Sequence, residues 1–290
     1  MNHGEILKRY HATPGMTPLS LQNWEDRAGR TSYEVIAART VGLSRSTRLL
    51  DLGCGDGFLL EVLARRGFND LVGVDLSAEE LAAARERLGP QVKLHQAAAT
   101  TMPLAPHSIG AVLSHMALML MPTLPRVLAE LARVLEPAGA LIAVTNQSTE
   151  DRVYEPYRKL LHHITGKSGM QRLRMGDARI YTHDGLRELF AGSRFDTCSL
   201  NTDDFELQIR TSPKQLWTRL RLSYDVFQLS AGAQAELERR LLRAWAPLVD
   251  SEGLLTCRQK MRIFSIRVGA GLPAPRLASK IPTDAQRSTW

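Results

Sequence analysis

The stretch from Arg48 to Val144 alternates short apolar runs with longer amphipathic segments, and this alternation constrains the fold more than any other feature. Short apolar runs suit buried strands, whereas apolar residues three and four positions apart suit helices. Successive strand and helix units of this kind build a parallel sheet that is covered by helices. The sequence therefore predicts an α/β fold.

Strands and helices can be assigned within this stretch. The predicted strands are Thr47–Leu52, Leu71–Asp75, Val92–Gln96, Gly110–Ser114 and Ala140–Thr145. The predicted helices are Phe58–Arg66, a helix that starts at a capping box formed by Ser77 and Glu80, and Pro125–Leu135. Pro137 and Gly139 are expected to end the last of these helices.

Outside this stretch the pattern is less regular. We predict an N-terminal helical cap over residues 1–45, with one or two helices within Leu21–Val41, and a flexible tail over residues 269–290. The domain between them, residues 46–268, is predicted to carry an insertion at 146–190 and a helical insertion at 213–246, and such insertions often shape a substrate pocket. The elements expected here are helices Val153–His163, Thr182–Phe190, Pro213–Leu229 and Ala231–Ala246, and strands Phe195–Ile209 and Leu254–Val268.

The overall composition narrows the class of protein. Of the 290 residues, 44% are hydrophobic, and no run approaches the roughly 20 apolar residues of a membrane-spanning helix. The polar start of the chain differs from a signal peptide, so we expect a cytoplasmic protein that does not associate with membranes. Cys54, Cys198 and Cys257 are too far apart in sequence for a paired metal-binding motif. The net charge of +7 includes a basic run over 152–179, which we interpret as a solvated face and not as a nucleic-acid site.

The turn that follows the first predicted strand carries a candidate ligand site. Gly53, Gly55 and Gly57 stand at alternate positions behind Asp51, and glycines let the backbone approach a ligand closely. The second predicted strand ends in Asp75, whose carboxylate can accept hydrogen bonds from both hydroxyls of a ribose. Two neighbouring strand ends therefore predict one nucleoside-like ligand.

A dinucleotide-binding fold is the alternative interpretation of this turn. That fold would require a third glycine at Phe58, and it usually lacks an acidic residue at the position of Asp51. Asp51 would repel a pyrophosphate, whereas it would attract the ammonium group of a methionine moiety. The turn therefore favours a methionine-bearing nucleoside over a dinucleotide.

Three segments resemble the class I S-adenosylmethionine-dependent methyltransferases. They are LDLGCGDG at 50–57, GVDLS at 73–77 and LARVLEPAG at 131–139. The resemblance is to the small-molecule group typified by quinone-biosynthesis methyltransferases, and it covers about Leu49 to Thr145. It implies a Rossmann-like seven-stranded fold, with the N-terminal cap and with insertions after the fifth and sixth strands, and S-adenosylmethionine as cofactor.

The same resemblance implies a set of residues that contact the cofactor. The glycines line its methionine and ribose, Asp75 holds the ribose hydroxyls, Leu76 packs on the adenine, and Ser114 and His115 follow the fourth strand beside the sulfonium. The full set of expected cofactor residues is Asp51, Gly53, Cys54, Gly55, Gly57, Asp75, Leu76, Ala98, Ala99, Ser114 and His115.

The sequence departs from the family pattern at two places. Ala98 and Ala99 occupy the position where the family usually has an acidic residue that reaches the adenine amino group. Thr100 or Gln96 could replace that contact. The usual acidic residue before the fourth strand is replaced by Gly110.

Methyl transfer requires mainly that the nucleophile is placed in line and that water is excluded. A general base is needed only if the acceptor loses a proton. His115, Tyr181 and Asn146 are the predicted catalytic or substrate-contacting residues, with further candidates at His183, Tyr154 and Tyr157. No metal is predicted, because the residues after the fourth and fifth strands are not acidic.

The leading hypothesis from sequence is a methyltransferase that acts on an O, N or C nucleophile of a small molecule, in secondary metabolism or cofactor biosynthesis. A second hypothesis is a cyclase or lyase of the same fold, of the type that forms azetidine-2-carboxylate and releases methylthioadenosine, because Asn146 and Tyr181 could bind an amine and a sulfonium. A third is a protein or RNA methyltransferase that uses the basic insertion.

Overall fold

The structure, a computed structural model, describes residue 21 and residues 23–167 and 176–269. A seven-stranded sheet with the order β3-β2-β1-β4-β5-β7-β6 forms its centre. The strands are β1 (Leu49–Leu52), β2 (Leu71–Asp75), β3 (Lys93–Gln96), β4 (Ile109–His115), β5 (Leu135–Asn146), β6 (Phe195–Thr211) and β7 (Leu255–Val268).

Helices connect these strands and cover both faces of the sheet. They are α1 (Ser32–Ala38), α2 (Phe58–Arg65), α3 (Ala78–Leu88), α4 (Leu124–Val134), α5 (Tyr154–Lys167), α6 (His183–Phe190), α7 (Pro213–Leu220), α8 (Tyr224–Phe227) and α9 (Ala231–Trp245). Short 3₁₀ turns occur at Leu118–Leu120, Ala178–Tyr181 and Ala246–Leu248.

Strands β1 to β5 are parallel, and β7 enters antiparallel between β5 and β6. The predicted α/β class and the seven-stranded sheet are confirmed. The chain winds from β1 outward to β3 and then returns to place β4 on the other side of β1. In sheets of this kind ligands bind outside the carboxyl ends of the strands at this reversal. The reversal lies next to the glycine turn.

Two hydrophobic clusters stabilise the sheet from opposite faces. The first joins α1, α2 and α3 to one face and continues into α5, α7 and α9. The second joins α4 and α6 to the other face. Side chains alternate between the faces along each strand, so that Val144 lies in the first cluster and Ala143 in the second.

Helix α5 of the first predicted insertion and the helices of the second pack together as a cap on the first face. Strands β6 and β7 pair as far as Thr211 and Leu255, and their buried residues Leu207 and Cys257 belong to the same cluster as α9. The indole N–H of Trp245 in α9 donates to the carbonyl of Val153, just before α5, at 2.8 Å. The hydroxyls of Tyr157 in α5 and Ser223 before α8 are 2.8 Å apart. We name α5 and α7 to α9 the helical cap, which is distinct from the N-terminal cap predicted over residues 1–45.

Several predicted boundaries were wrong. Strand β5 starts at Leu135, directly after α4, because Leu135 pairs with Ile109; Pro137 and Gly139 therefore lie inside a strand, at an irregularity where Ala138 has φ +60°. The helix predicted over 213–229 is interrupted, because Ser223 adopts extended backbone angles and starts a new helix. The predicted tail beyond residue 269 lies outside the described residues.

Among the described helices, none combines the length and the apolar composition that crossing a bilayer requires. Within the same residues, no three His, Cys, Asp or Glu side chains come together in a way that could hold a metal ion.

Candidate active site

The glycine turn after β1 has a backbone that only glycine adopts without strain. Gly53, Gly55 and Gly57 have φ angles of +74°, +50° and +79°. A Cβ on Gly53 would overlap the methyl group of Ala117, and one on Gly57 would lie 2.7 Å from the Leu88 side chain. The turn is therefore fixed both by its backbone angles and by close packing on its neighbours.

Asp75, at the end of β2, organises this turn. Its two carboxylate oxygens accept the backbone N–H of Gly55 at 2.8 Å and of Ser77 at 2.9 Å. Each carboxylate oxygen has two lone pairs, so one position on each oxygen is still available for a ribose hydroxyl. The predicted ribose contact is compatible with this geometry and stays a prediction.

Asp51 gives the site an excess of negative charge. Its side chain is buried, and its Oδ1 atom has no hydrogen-bond partner within the described residues. Burial, followed by the neighbouring carboxylates of Asp75 and Asp56, raises the pKa of Asp51 well above its usual value. Asp56 is also buried, but Arg87 pairs with it at 2.6 Å. A cationic ligand is the natural complement of this uncompensated carboxylate.

Leu76 provides an apolar surface beside Asp75. Its side chain is 70% exposed, whereas large hydrophobic side chains elsewhere are mostly covered. A flat adenine ring would remove this surface from water, which is favourable in proportion to the area covered. The amide nitrogen of Gln96 donates to the carbonyl of Leu76 at 3.3 Å, which does not use its acceptor oxygen, so Gln96 and Thr100 both stay candidates for the missing adenine contact. Ala98 and Ala99 follow β3 at the same edge.

Two of the predicted cofactor residues use their side chains to hold the fold. The hydroxyl of Ser114 donates to the carbonyl of Leu52 at 2.9 Å and accepts the N–H of Leu118 at 3.2 Å. The thiol of Cys54 is buried against β2, and burial raises its pKa. Contacts of these two residues with a ligand would therefore come from the backbone. Strand β4 extends to His115, one residue beyond the predicted strand end at Ser114.

His115, the last residue of β4, makes a polar and an aromatic contact with α1. Its Nε2 atom lies 2.8 Å from the Ser32 hydroxyl, and its ring stacks on Tyr33 with centroids 3.9 Å apart. Burial lowers the pKa of His115 to about 3. The imidazole is therefore neutral near pH 7, the form in which it can accept a proton.

Tyr33 was not among the predicted site residues. Its ring lies between His115 and Phe58, the first residue of α2, with the Phe58 centroid at 4.7 Å. Burial, followed by Asp56 and Asp51, raises the pKa of its hydroxyl. The Tyr33 hydroxyl thus faces the same carboxylates as the glycine turn. A capping box of Thr31 and Glu34 was the available signal for the start of α1.

Asn146 ends β5 on the same face as His115. His115 pairs with Val144, and Asn146 lies two residues beyond Val144, toward the carboxyl edge of the sheet. Its Oδ1 atom is buried and has no partner within the described residues. The structure therefore brings together two of the three predicted catalytic residues.

Tyr181 lies on the other face of the sheet. Its ring packs against the second hydrophobic cluster, and its carbonyl accepts a hydrogen bond from Arg262 at 2.9 Å. The described contacts do not join it to His115 or Asn146. His183, next to it in sequence, is exposed and contacts Thr202 at 3.0 Å. The prediction that these residues contact the substrate receives no support from their contacts.

The tyrosines of α5 lie inside the helical cap. Tyr157 bonds to Ser223, while burial raises the pKa of Tyr154, with smaller contributions from Cys257 and Asp151. Protonated tyrosines of this kind can line a pocket, but they are poor general bases near neutral pH. His115, with its pKa near 3, is also a weak base near neutral pH, so its contacts favour a positioning role.

Asp75→Ala should lower affinity for S-adenosylhomocysteine by about 1 to 3 kcal/mol, because the ribose hydroxyls lose a partner. It should also loosen the glycine turn, since Gly55 and Ser77 lose their acceptor. Calorimetric titration measures the first effect and thermal unfolding the second. Asp70→Ala is the control, because Asp70 precedes the same strand at its opposite end and pairs with Arg48. Equal affinities for wild type and Asp75→Ala would disprove the ribose assignment.

His115 should stay neutral in NMR titrations from pH 8 down to about pH 4, because its folded pKa lies near 3. Its resonance can be assigned by its loss in His115→Gln. Since the unfolded state binds the proton more readily, this group should lower stability as the pH falls below about 6.5. Tyr33→Ala should expose the ring of His115 to solvent and so raise the pKa of His115. Titration of His115 near pH 6.5 in the wild type would contradict the packing described above.

Part of the chain is similar to known methyltransferases. Residues 50–143 match the family model of a methyltransferase domain. Trans-aconitate 2-methyltransferase of Variovorax paradoxus is 30% identical over 152 residues, which are 52% of this chain and 56% of that protein. The 2-phytyl-1,4-naphtoquinone methyltransferase of Thermosynechococcus vestitus is 33% identical over 111 residues, 37% of this chain and 49% of that protein.

A similar fold occurs in a solved structure of a candidate type II methyltransferase from Anaeromyxobacter dehalogenans. It has a TM-score of 0.60 and 20% identity, and the similarity covers 85% of this chain and 98% of that one. At this identity the likeness shows the fold alone. The chain spans about half the length of the curated relatives named above.

The strand order, the glycine turn and the family match define a class I methyltransferase domain. The protein carries a class I S-adenosylmethionine-dependent methyltransferase domain, and S-adenosylmethionine is its cofactor. The predicted family and cofactor are confirmed at this level.

Proposed function

We propose that this protein transfers a methyl group from S-adenosylmethionine to an O, N or C nucleophile of a small molecule, in secondary metabolism. The buried Oδ1 of Asp51 carries the proposal, because this unpartnered carboxylate calls for a cation. When bound, S-adenosylmethionine would supply two positive charges, one on its ammonium group and one on its sulfonium group, together with an electrophilic methyl group.

The residues that would hold the cofactor surround the glycine turn. Asp51 faces its ammonium group, Asp75 accepts from its ribose hydroxyls, and Leu76 covers its adenine. Gly53 and Gly55 let the backbone approach, because no side chain stands between it and the ligand. Pre-arranged charges of this kind bind best in a site from which water is excluded.

The residues on the acceptor side orient the nucleophile. His115 is neutral, and its low pKa makes it a weak base, so its Nε2 atom positions the acceptor by hydrogen bonding together with the Ser32 hydroxyl. Tyr33 covers the ring of His115, and the helical cap closes the same face against water. Exclusion of water prevents loss of the methyl group to solvent.

The test is to incubate the purified protein with S-adenosylmethionine, alone and with a metabolite extract, and to identify the nucleoside product by mass spectrometry. We expect S-adenosylhomocysteine only when extract is present. Methylthioadenosine formed without an acceptor would replace the proposal by cyclase or lyase chemistry. Binding to RNA that weakens steeply with salt would favour a nucleic-acid substrate instead.

A further inference from the structure

Asn146 lies where its side chain can contact the methyl acceptor. It ends β5 at the carboxyl edge of the sheet, on the face against which His115 and Tyr33 lie, and it pairs with Met261 of β7. Its buried Oδ1 atom has no partner within the described residues. A buried carbonyl oxygen without a partner is unfavourable, so a bound donor group would recover the lost hydrogen bond.

The wall around Asn146 is apolar. Met261 and Tyr33 belong to the first hydrophobic cluster, and Met116 and Tyr154 pack against it. Methionine and aromatic side chains pack well against flat, apolar ligands, and they offer little to compensate a negative charge. The acceptor side of the site therefore suits a mostly uncharged molecule with one polar group.

Three arginines on this side of the molecule are already engaged. Arg39 follows α1, and its buried guanidinium contacts Asp203 of β6 at 2.5 Å. Arg262, opposite Thr145, pairs with Asp204 at 2.6 Å. Arg219 faces Tyr154 and Cys257 deeper in the helical cap and is itself engaged. A carboxylate acceptor would have to compete with these interactions for a counter-ion.

We propose, on the basis of the function proposed above, that Asn146 determines acceptor specificity and that the acceptor is an uncharged molecule whose hydroxyl or N–H group donates to its side-chain oxygen. Phenols, hydroquinones and neutral amides belong to this class. Carboxylate acceptors fall outside this class, because a carboxylate cannot donate a hydrogen bond to Oδ1 and would bring an uncompensated charge against the apolar wall.

The experiment separates a metabolite extract on an anion-exchange resin at pH 8 into a retained anionic pool and an unretained pool. Each pool is incubated with the full chain and S-adenosylmethionine that carries a labelled methyl group. We expect wild type to label the unretained pool and Asn146→Leu to lose at least 90% of that label. Asn146→Asp keeps an acceptor oxygen and should retain more label than Asn146→Leu.

Asn201→Leu is the matched control. Asn201 lies in β6, and its Oδ1 atom is likewise buried and without a partner within the described residues. Both leucine variants remove such an oxygen, so both should be at least as stable as wild type, but only Asn146→Leu should lose labelling. With the labelled acceptor purified, Asn146→Leu should raise KM more than it lowers kcat.

Calorimetry separates this inference from the proposed function. If the variants bind S-adenosylmethionine as wild type does, but the label enters the anionic pool, the acceptor class is wrong and methyl transfer stands. Full labelling by Asn146→Leu would likewise overturn the role of Asn146. Absence of S-adenosylmethionine binding in wild type would instead contradict the proposed function itself.

Discussion

Asp51→Asn should stabilise the free protein while it removes most of the affinity for S-adenosylmethionine. The carboxylate is buried, its Oδ1 atom has no partner within the described residues, and Asp75 and Asp56 repel it. Removal of such a charge should raise the free energy of unfolding by about 1 to 3 kcal/mol. Loss of its attraction for the ammonium group should weaken binding by about 2 to 4 kcal/mol, roughly 30-fold to 1,000-fold.

The stability gain should depend on pH in a defined direction. The folded pKa of Asp51 is raised, so the folded state binds its proton more tightly than the unfolded state does. The wild type should therefore lose stability as the pH rises from about 4 through the folded pKa, and the advantage of Asp51→Asn should grow over the same range. Binding of the cationic cofactor opposes protonation, so wild-type affinity should rise with pH over this range.

Asp56→Asn is the control for this prediction. Asp56 is buried like Asp51, but Arg87 pairs with it and the Phe58 N–H donates to it at 3.4 Å. Its neutralisation leaves Arg87 without that partner, so Asp56→Asn should destabilise the protein. Urea unfolding at pH 5 and pH 8, with and without S-adenosylhomocysteine, measures both variants. A loss of stability in Asp51→Asn at pH 8 would show that the carboxylate is compensated.

Gly53→Ala should destabilise the protein strongly, by about 2 to 5 kcal/mol, for two separable reasons. The first is backbone strain, because Gly53 has φ +74°. The second is overlap, because the new methyl group would enter the space of the Ala117 side chain. Displacement of the turn should also abolish cofactor binding, since Gly53 and Gly55 shape the surface on which the ligand would lie.

Gly253→Ala isolates the first of these reasons. Gly253 also has φ +74°, but nothing lies within 4 Å of the position of its Cβ. We expect it to cost about 1 to 2 kcal/mol, the price of a left-handed backbone for alanine, and to leave cofactor binding unchanged. Chemical denaturation measures the difference between the two glycines. The added change Ala117→Gly should recover the part of the Gly53→Ala loss that is due to overlap, and no recovery would refute the packing explanation.

Local patterns were sufficient to predict the core of this fold. β2 was predicted with its observed bounds, Leu71–Asp75, and α2 within one residue of its observed end. Both are short periodic segments between strong turn signals, so their sequence alone determines their structure. The chain through Pro137 and Gly139 was misassigned, because its strand conformation depends on pairing with β4, which is distant in sequence.

The candidate site likewise contains residues that the sequence predicted and residues that it did not. The glycine turn, Asp51 and Asp75 were predicted because spacing on one strand–turn–helix unit fixes them. Tyr33 was missed, because its meeting with His115 depends on where α1 docks on the sheet. Tyr181 was grouped with Asn146 because both belong to the insertion predicted over 146–190, but Tyr181 packs on the second face of the sheet, opposite to the face of His115.

The sequence by itself therefore determined the α/β class, the parallel strands and the cofactor turn of this protein, because these depend on contacts between residues close in the chain. Only the tertiary structure decided that Tyr33 and Ser32 cover His115, that α5 packs with α7 to α9 in one helical cap, and that Asn146 has an oxygen without a partner within the described residues. The first two features arise from packing between segments that are distant in the chain, such as Ser32 on His115, 83 residues apart. No local sequence pattern encodes contacts of this kind, because the residues that make them lie on separate elements.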